Sequence, residues 1–130
     1  MGFGQYMAKE FMRELGNRSR EFYEFVMPAM DMYEDGSDLV VLIDLPGFSK
    51  QDISLRLMDN VLTINAKRER DEQEILGTVY LRQRPLRIDK KVPLPIKVTE
   101  EDKVLGSAKY VDGVVTLRIP IPRYTTIPIS

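Results

Sequence analysis

The clearest signal for the fold is the stretch A-K-Y-V-D-G-V-V-T-L-R-I-P, residues 108–120. Asp112-Gly113 is the strongest short hairpin signal in the chain, because both residues tolerate the backbone that a tight two-residue turn requires. S-A-K-Y at 107–110 and V-T-L-R-I at 115–119 flank the turn, and each reads as a β-strand. We therefore predict a β-hairpin here.

Further strand-like segments lie upstream, separated by turn signals. L-V-V-L-I-D-L at 39–45 is a buried-strand candidate, closed by the turn Pro46-Gly47. Asp59-Asn60 predicts a hairpin turn, since both residues tolerate a left-handed backbone. The other segments are I-S-L-R-L at 53–57, V-L-T-I-N-A at 61–66, V-Y-L-R-Q at 79–83, and the poorly alternating R-I-D-K-K-V-P-L-P at 87–95. Roughly seven or eight short strands at this spacing indicate an all-β sandwich.

The two ends of the chain differ from this pattern. Residues 5–27 contain no proline and carry apolar groups at helical spacing, which predicts one or two short amphipathic helices with a break or kink at Gly16-Asn17 and an end at Pro28. Six of the seven methionines lie at or before residue 32, and methionine is common on surfaces that accept many partners. A helix packed on its own domain explains the pattern equally well. Beyond Pro120 and Pro122, which end the last strand, an extended tail is expected.

The composition excludes several classes of function. The chain has neither cysteine nor histidine, which rules out disulfides, the common zinc sites and Ser-His or Cys-His nucleophile pairs. A net charge of −1 with interleaved charges argues against nucleic acid binding. The sequence has no secretory signal and no apolar stretch of about 18 residues. We therefore expect a soluble, cytoplasmic protein without a nucleic acid partner or a membrane span.

Acidic clusters raise the alternative of an enzyme, because paired carboxylates can perform acid–base catalysis without histidine. Both clusters fall in predicted turn regions, where acids are usually solvated, and neither has the alternating spacing of a calcium loop. We expect no catalysis, no metal and no cofactor. The clusters are Asp31, Glu34, Asp35 and Asp38, and Glu100, Glu101 and Asp102.

The order and spacing of several motifs resemble an archaeal-type small heat shock protein of the α-crystallin superfamily. The resemblance spans residues 31–130. It rests on D-L-P-G-F (44–48), D-I-S-L-R-L (52–57), N-V-L-T-I-N-A-K-R-E (60–69), V-P-L-P (92–95) and the opening stretch. The family signature A-x-x-x-n-G-V-L corresponds to Ala108, Asp112, Gly113, Val114 and Val115, and the family's hydrophobic-x-hydrophobic tail motif to Ile127, Pro128 and Ile129.

The resemblance implies an immunoglobulin-like β-sandwich at 31–122, with a helical N-terminal arm at 1–30 and a tail at 123–130. It also implies an ATP-independent holdase chaperone that binds partly unfolded proteins and assembles from dimers into a large homo-oligomer. In this type the dimer forms by strand exchange, which here would pair Met32 and Tyr33 of one chain with Val79, Tyr80, Leu81, Arg82 and Gln83 of the other. Lys90 occupies a position where the family usually has an interface arginine, and lysine cannot make the forked contact of a guanidinium.

The tail motif has a physical interpretation beside the resemblance. In an extended segment Ile127 and Ile129 point the same way, and Pro128 lowers the cost of ordering them. An extended peptide entering an apolar groove is a known recognition mode. The candidate groove residues are Ile53, Leu55, Leu57, Leu105 and Ser107. A second I-P-I, at 119–121, is better explained as the end of a core strand.

Client binding is expected in the N-terminal arm, on Phe3, Phe11, Met12, Phe22, Phe25 and Met27. The alternative on the same sandwich is a monomeric or dimeric co-chaperone or adaptor that recognises one partner. The adaptor predicts no large oligomer, so size-exclusion chromatography separates the two functions.

Overall fold

A computed structural model describes residues 2–69, 75–98, 106–122 and 127–130, without the side chains of residues 6, 97 and 98. These residues form one helix, six strands and a short 3-10 helix at Lys50–Asp52. The helix is α1 (Phe3–Val26), and the strands are β1 (Met30–Asp35), β2 (Asp38–Asp44), β3 (Ile53–Lys67), β4 (Arg87–Val98), β5 (Ser107–Val111) and β6 (Val114–Pro120).

The strands form two antiparallel sheets that enclose one apolar core. Four strands pair in the order β1-β2-β6-β5, and β3 pairs with β4 in the second sheet. Alternate residues of β6 point inward, so Val115, Leu117 and Ile119 are buried while their neighbours are not. They meet Leu62, Ile64 and Ala66 of β3, which alternate in the same way. The predicted β-sandwich is confirmed.

The hairpin predicted at Asp112-Gly113 joins β5 to β6. Both turn residues have a left-handed backbone, with φ of 53° and 79°. Val111 and Val114 are the first Cα partners beyond the turn. Gly113 also lies against the preceding loop, since a Cβ added there would be 3.2 Å from the Cα of Pro46. The turn therefore requires glycine for its conformation and for its fit to Pro46.

Of two predictions about the second sheet, one is wrong and the other, the strand at 87–95, is confirmed. Asp59-Asn60 is not a hairpin turn, because β3 runs through it from Ile53 to Lys67. Asp59 does take the left-handed backbone, with φ of 53°, but the pairing register with β4 shifts between Asp59 and Val61, so the residue makes a bulge instead. The poorly alternating segment 87–95 belongs to one long strand, β4. Its prolines are tolerated since β4 pairs with β3 along one edge only in the described chain.

The predicted break at Gly16-Asn17 is also wrong, because α1 continues through both residues. Gly16 faces the segment 79–83. A Cβ built on it would lie 3.0 Å from the backbone nitrogen of Arg82 and 3.1 Å from Cδ1 of Leu81. A glycine inside a helix costs about 1 kcal/mol relative to alanine, and here it permits a close packing contact instead of ending the helix.

The alternating sequence of the segment 79–83 predicts a strand, but in this chain the segment is not part of either sheet. Its backbone lies beside α1 instead of beside a strand. The I-P-I at 119–121 ends a core strand as predicted, with Ile119 buried and Ile121 half-buried against the core.

Candidate assembly and client-binding surfaces

The tail presents two large apolar side chains to solvent. Ile127 is 80% exposed and Ile129 is 98% exposed. Neither belongs to the core cluster or to the residues packed against it. The apolar area of both side chains is therefore available to another surface.

The predicted groove residues lie on the edges of the two sheets. Ile53, Leu55 and Leu57 alternate on the inner face of β3 and pack against the core while staying half-buried. This first part of β3 precedes Asp59, where the pairing with β4 begins among the described residues. Ser107 is exposed at the start of β5, which is one of the two outer strands of its sheet in the described chain. Leu105 lies outside the described residues.

A tyrosine that the sequence analysis missed holds β5 in place. The hydroxyl of Tyr110 lies 2.5 Å from the carbonyl oxygen of Leu45 and 2.8 Å from that of Phe48. It donates its single proton to this pair of acceptors and so ties the outer strand to the loop after β2. Only the three-dimensional structure brings these residues together, since they are more than 60 positions apart in sequence.

The residues predicted for strand exchange occupy two separate places. Met32 and Tyr33 lie on β1, which is an outer strand of the four-stranded sheet. Met32 packs against the core and Tyr33 is exposed. Tyr80 and Leu81 are exposed beside α1. Val79 and Arg82 line a cavity of about 360 Å³ together with Arg13 and Asn17 of the helix.

Five of the six residues predicted for client binding share the exposed surface of α1. Phe3, Phe11, Phe22 and Phe25 are largely exposed, and Met12 partly so. Phe22 and Tyr23 form an edge-to-face pair with ring centroids 5.9 Å apart. Met27 differs, because it is half-buried and packs against the sandwich core. In this chain Met27 therefore contributes to packing, and its role in client binding stays a prediction.

The C-terminal end of α1 is held in place by the carboxylate of Glu24, which sequence reasoning also missed. Oε2 of Glu24 accepts hydrogen bonds from the backbone N–H groups of Leu86 and Arg87, both at 2.8 Å. Nε of Arg20 lies 3.6 Å from the other carboxylate oxygen. The ammonium nitrogen of Lys90 lies 4.9 Å from the centroid of the Phe25 ring, a cation–π contact. In this chain Lys90 therefore contacts its own helix.

The acidic cluster around β1 is a surface ion-pair site. Nη2 of Arg118 lies 3.1 Å from Oδ2 of Asp35, and Nη1 lies 3.5 Å from Oδ2 of Asp38. The hydrogen bond with Asp35 raises the pKa of Arg118. Asp31 and Glu34 are exposed on β1, whereas Glu100, Glu101 and Asp102 lie outside the described residues. In the described part of the chain no three acidic residues are grouped to hold a metal ion, and none of its helices could span a membrane.

Comparison with known proteins identifies the protein family to which this chain belongs. The Hsp20/alpha crystallin family matches residues 31–129. The chain belongs to this family, which confirms the resemblance read from the sequence. The signature residues serve the fold: Gly113 makes the β5–β6 turn and Val115 is buried in the core, while Val114 is half-buried and Ala108 exposed.

The most similar proteins include an archaeal structure and two curated relatives. The Del-C4 mutant of hsp14.1 from Sulfolobus solfatataricus P2 is 51% identical, with a TM-score of 0.70 over 78% of this chain and 81% of that one. The 17.4 kDa class III heat shock protein of Arabidopsis thaliana is 32% identical over 78% of this chain and 72% of its own. Small heat shock protein C4 of Rickettsia felis is 26% identical over 75% of this chain, but this chain spans only 58% of that protein.

Proposed function

We propose that this protein is an ATP-independent holdase chaperone of the cytoplasm, which binds partly unfolded proteins and prevents their aggregation. The observation that carries the proposal is the row of exposed aromatic side chains on α1. Phe3, Phe11, Phe22 and Phe25 are each at least 60% exposed. Isolated exposed apolar residues are ordinary, but several large ones on a single helix favour an interaction surface. Flexible methionines between them suit clients of varied shape.

Assembly into a large homo-oligomer is the second part of the proposal. The tail of one subunit docks Ile127 and Ile129 into the groove of another, between the first part of β3 and the edge of β5. Burying two isoleucines contributes about 3–6 kcal/mol, while association costs at least about 4 kcal/mol. A single docked tail is therefore weak, and many tails in one closed particle act together through effective concentration. Such a particle holds together and still exchanges subunits.

The building block of the particle is a dimer formed by strand exchange. Among the described residues β1 is an outer strand of its sheet, and the segment 79–83 of another chain supplies a further strand for its outer edge. This arrangement explains an alternating sequence that is not part of a sheet in its own chain.

Suppression of client aggregation tests the role of the α1 surface. We expect a variant with Phe22→Ser and Phe25→Ser to need severalfold more protein than the parent to suppress light scattering by a heated client. The matched control replaces Arg18 and Glu21, two exposed polar residues of the same helix, by serine. Deletion of residues 1–27 should weaken protection further, while circular dichroism shows a folded sandwich. Equal protection by the parent and both aromatic-deficient variants would place the client surface elsewhere.

A further inference from the structure

Strand β1 is an outer strand of its sheet in the described chain, and its outward-facing side chains include two acids. Met30 and Met32 pack against the core, so the residues that alternate with them belong to the outer face of the sheet. Asp31 and Asp35 are the charged members of this alternating set, and both are exposed. The edge that would receive an exchanged strand therefore carries negative charge.

The charge of Asp31 is not balanced within the described part of its own chain. Asp31 takes part in no hydrogen bond or ion pair of its side chain there. The cation in its row across the sheet, Lys109, lies three strands away, roughly 14 Å at about 4.8 Å per strand. Arg118 is already paired with Asp35, at 3.1 Å, and with Asp38, at 3.5 Å. Asp31 thus leaves an unpaired anion at the margin of the sheet.

The segment that the proposed exchange brings to β1 has the complementary pattern. Val79 and Leu81 alternate with side chains that include Arg82 and Arg84, and the stretch 79–84 contains no acidic residue. A strand joins a half-buried sheet with its apolar set on the core face, because a slip of one residue would turn that set to solvent. Both arginines then belong to the outer face, where the acids of β1 are.

The match between Asp31 and Arg82 does not depend on the direction of the added strand. Residues on one face of adjacent strands are either directly opposite, about 5 Å apart, or diagonal, about 7–8 Å apart. When Leu81 stands beside Met32 or Met30, Arg82 is opposite or diagonal to Asp31 in both parallel and antiparallel pairing. The two charges therefore meet in each of these arrangements.

The same charges disfavour a competing occupant of this edge, which is β1 of a second copy. Pairing β1 with β1 would bring aspartates together on the outer face, and like charges opposite each other destabilise a sheet. Charged residues on an edge strand are a common means of preventing such self-pairing. A repulsive element against one partner and an attractive one for another together give specificity.

We propose that the charges of Asp31 and Arg82 select the partner of β1: the edge accepts a strand of a second copy that carries cations on its outer face, and rejects acidic edges. This inference rests on the proposed strand exchange and names the recognition that directs it. It predicts that the exchange can be redirected by changing charge alone.

A reciprocal charge swap tests this selection in the full chain. Asp31→Arg places two cations at the contact and Arg82→Glu places two anions there, so each variant should pair poorly with itself. In a mixed dimer of the two variants, both contacts unite opposite charges. We expect mixed pairs to be favoured roughly tenfold over self-pairs, because two contacts per dimer change from repulsion to attraction. Asp31→Lys mixed with Arg82→Asp repeats the swap with different side chains.

Energy transfer between labelled chains measures the preference. The chain has no cysteine, so one introduced at the exposed Asn60 carries the donor or the acceptor in every variant. The matched controls reverse charges at exposed sites elsewhere, Glu21→Arg on α1 and Lys50→Glu before β3. These controls should pair with themselves and with each other equally well. At about 1 M salt the preference of the swapped pair should shrink, since charges are screened within about 3 Å there.

Two results would overturn the inference, and they differ in what else they refute. A parent that light scattering shows to be monomeric at all concentrations would refute the proposed assembly, and the charge selection with it. A self-associating parent whose two swapped variants, folded by circular dichroism, show equal energy transfer in mixed and unmixed samples would refute the charge selection alone.

Discussion

Replacing Ile127 and Ile129 by serine should convert the large particle into dimers without unfolding them. Because the two side chains are 80% and 98% exposed in their own chain, nearly all of their apolar area is available for burial in the groove. Each buried isoleucine contributes about 1.5–3 kcal/mol. Serine supplies almost none of this, so each tail contact weakens by about 3–6 kcal/mol. At about 1.4 kcal/mol per factor of ten, even the lower bound weakens each contact more than a hundredfold.

Size-exclusion chromatography with light scattering at several protein concentrations measures the result. The matched control replaces Met58 and Val111, two exposed apolar residues of the sandwich strands, by serine. The control should elute with the parent, and the tail variant should elute as a dimer with an unchanged circular dichroism spectrum. A tail variant that still elutes as a large particle would refute the docking of the tail.

Further variants test the other contacts. Deletion of residues 72–83 removes the exchange segment and should give monomers or misfolded chains, whereas a stable dimer of the deletion variant in light scattering would show that the segment is not shared. Tyr110→Phe leaves the carbonyl oxygens of Leu45 and Phe48 without their hydrogen-bond donor. We expect the free energy of unfolding to fall by about 0.5–1.5 kcal/mol, measured by urea unfolding at fixed protein concentration. An unchanged unfolding midpoint would contradict this. Ile64→Ala opens a cavity at a fully buried site and should cost about 2–5 kcal/mol, while Ile75→Ala, at an exposed site, should cost far less in the same titration.

The sandwich could be predicted from the sequence because its signals are local. A period of two residues and the pair Asp112-Gly113 each specify backbone geometry within a few positions, and the structure has the hairpin where they place it. Asp59 shows the limit of such signals. A left-handed aspartate serves a hairpin or a bulge equally well, and only the pairing with β4 decides between them.

The contacts of α1 could not be predicted because they join residues far apart in sequence. Gly16 reads as a helix breaker when only its neighbours are considered, and as a packing contact once Leu81 and Arg82 are beside it. Glu24 looks like an ordinary surface acid, yet its carboxylate holds the backbone at 86–87. The segment 79–83 has the alternating sequence of a strand, but in its own chain it lies beside α1 and not beside a strand.

The most direct test of holdase action is to recover the client after heating. A thermolabile client is heated with the purified full chain in the absence of nucleotide, and the supernatant is separated by size-exclusion chromatography. The proposal predicts that the client stays in the supernatant and elutes with the chaperone as a complex, and that added ATP changes neither the yield nor the elution. A client that precipitates to the same extent with and without the protein, or that is protected only when ATP is present, would contradict it.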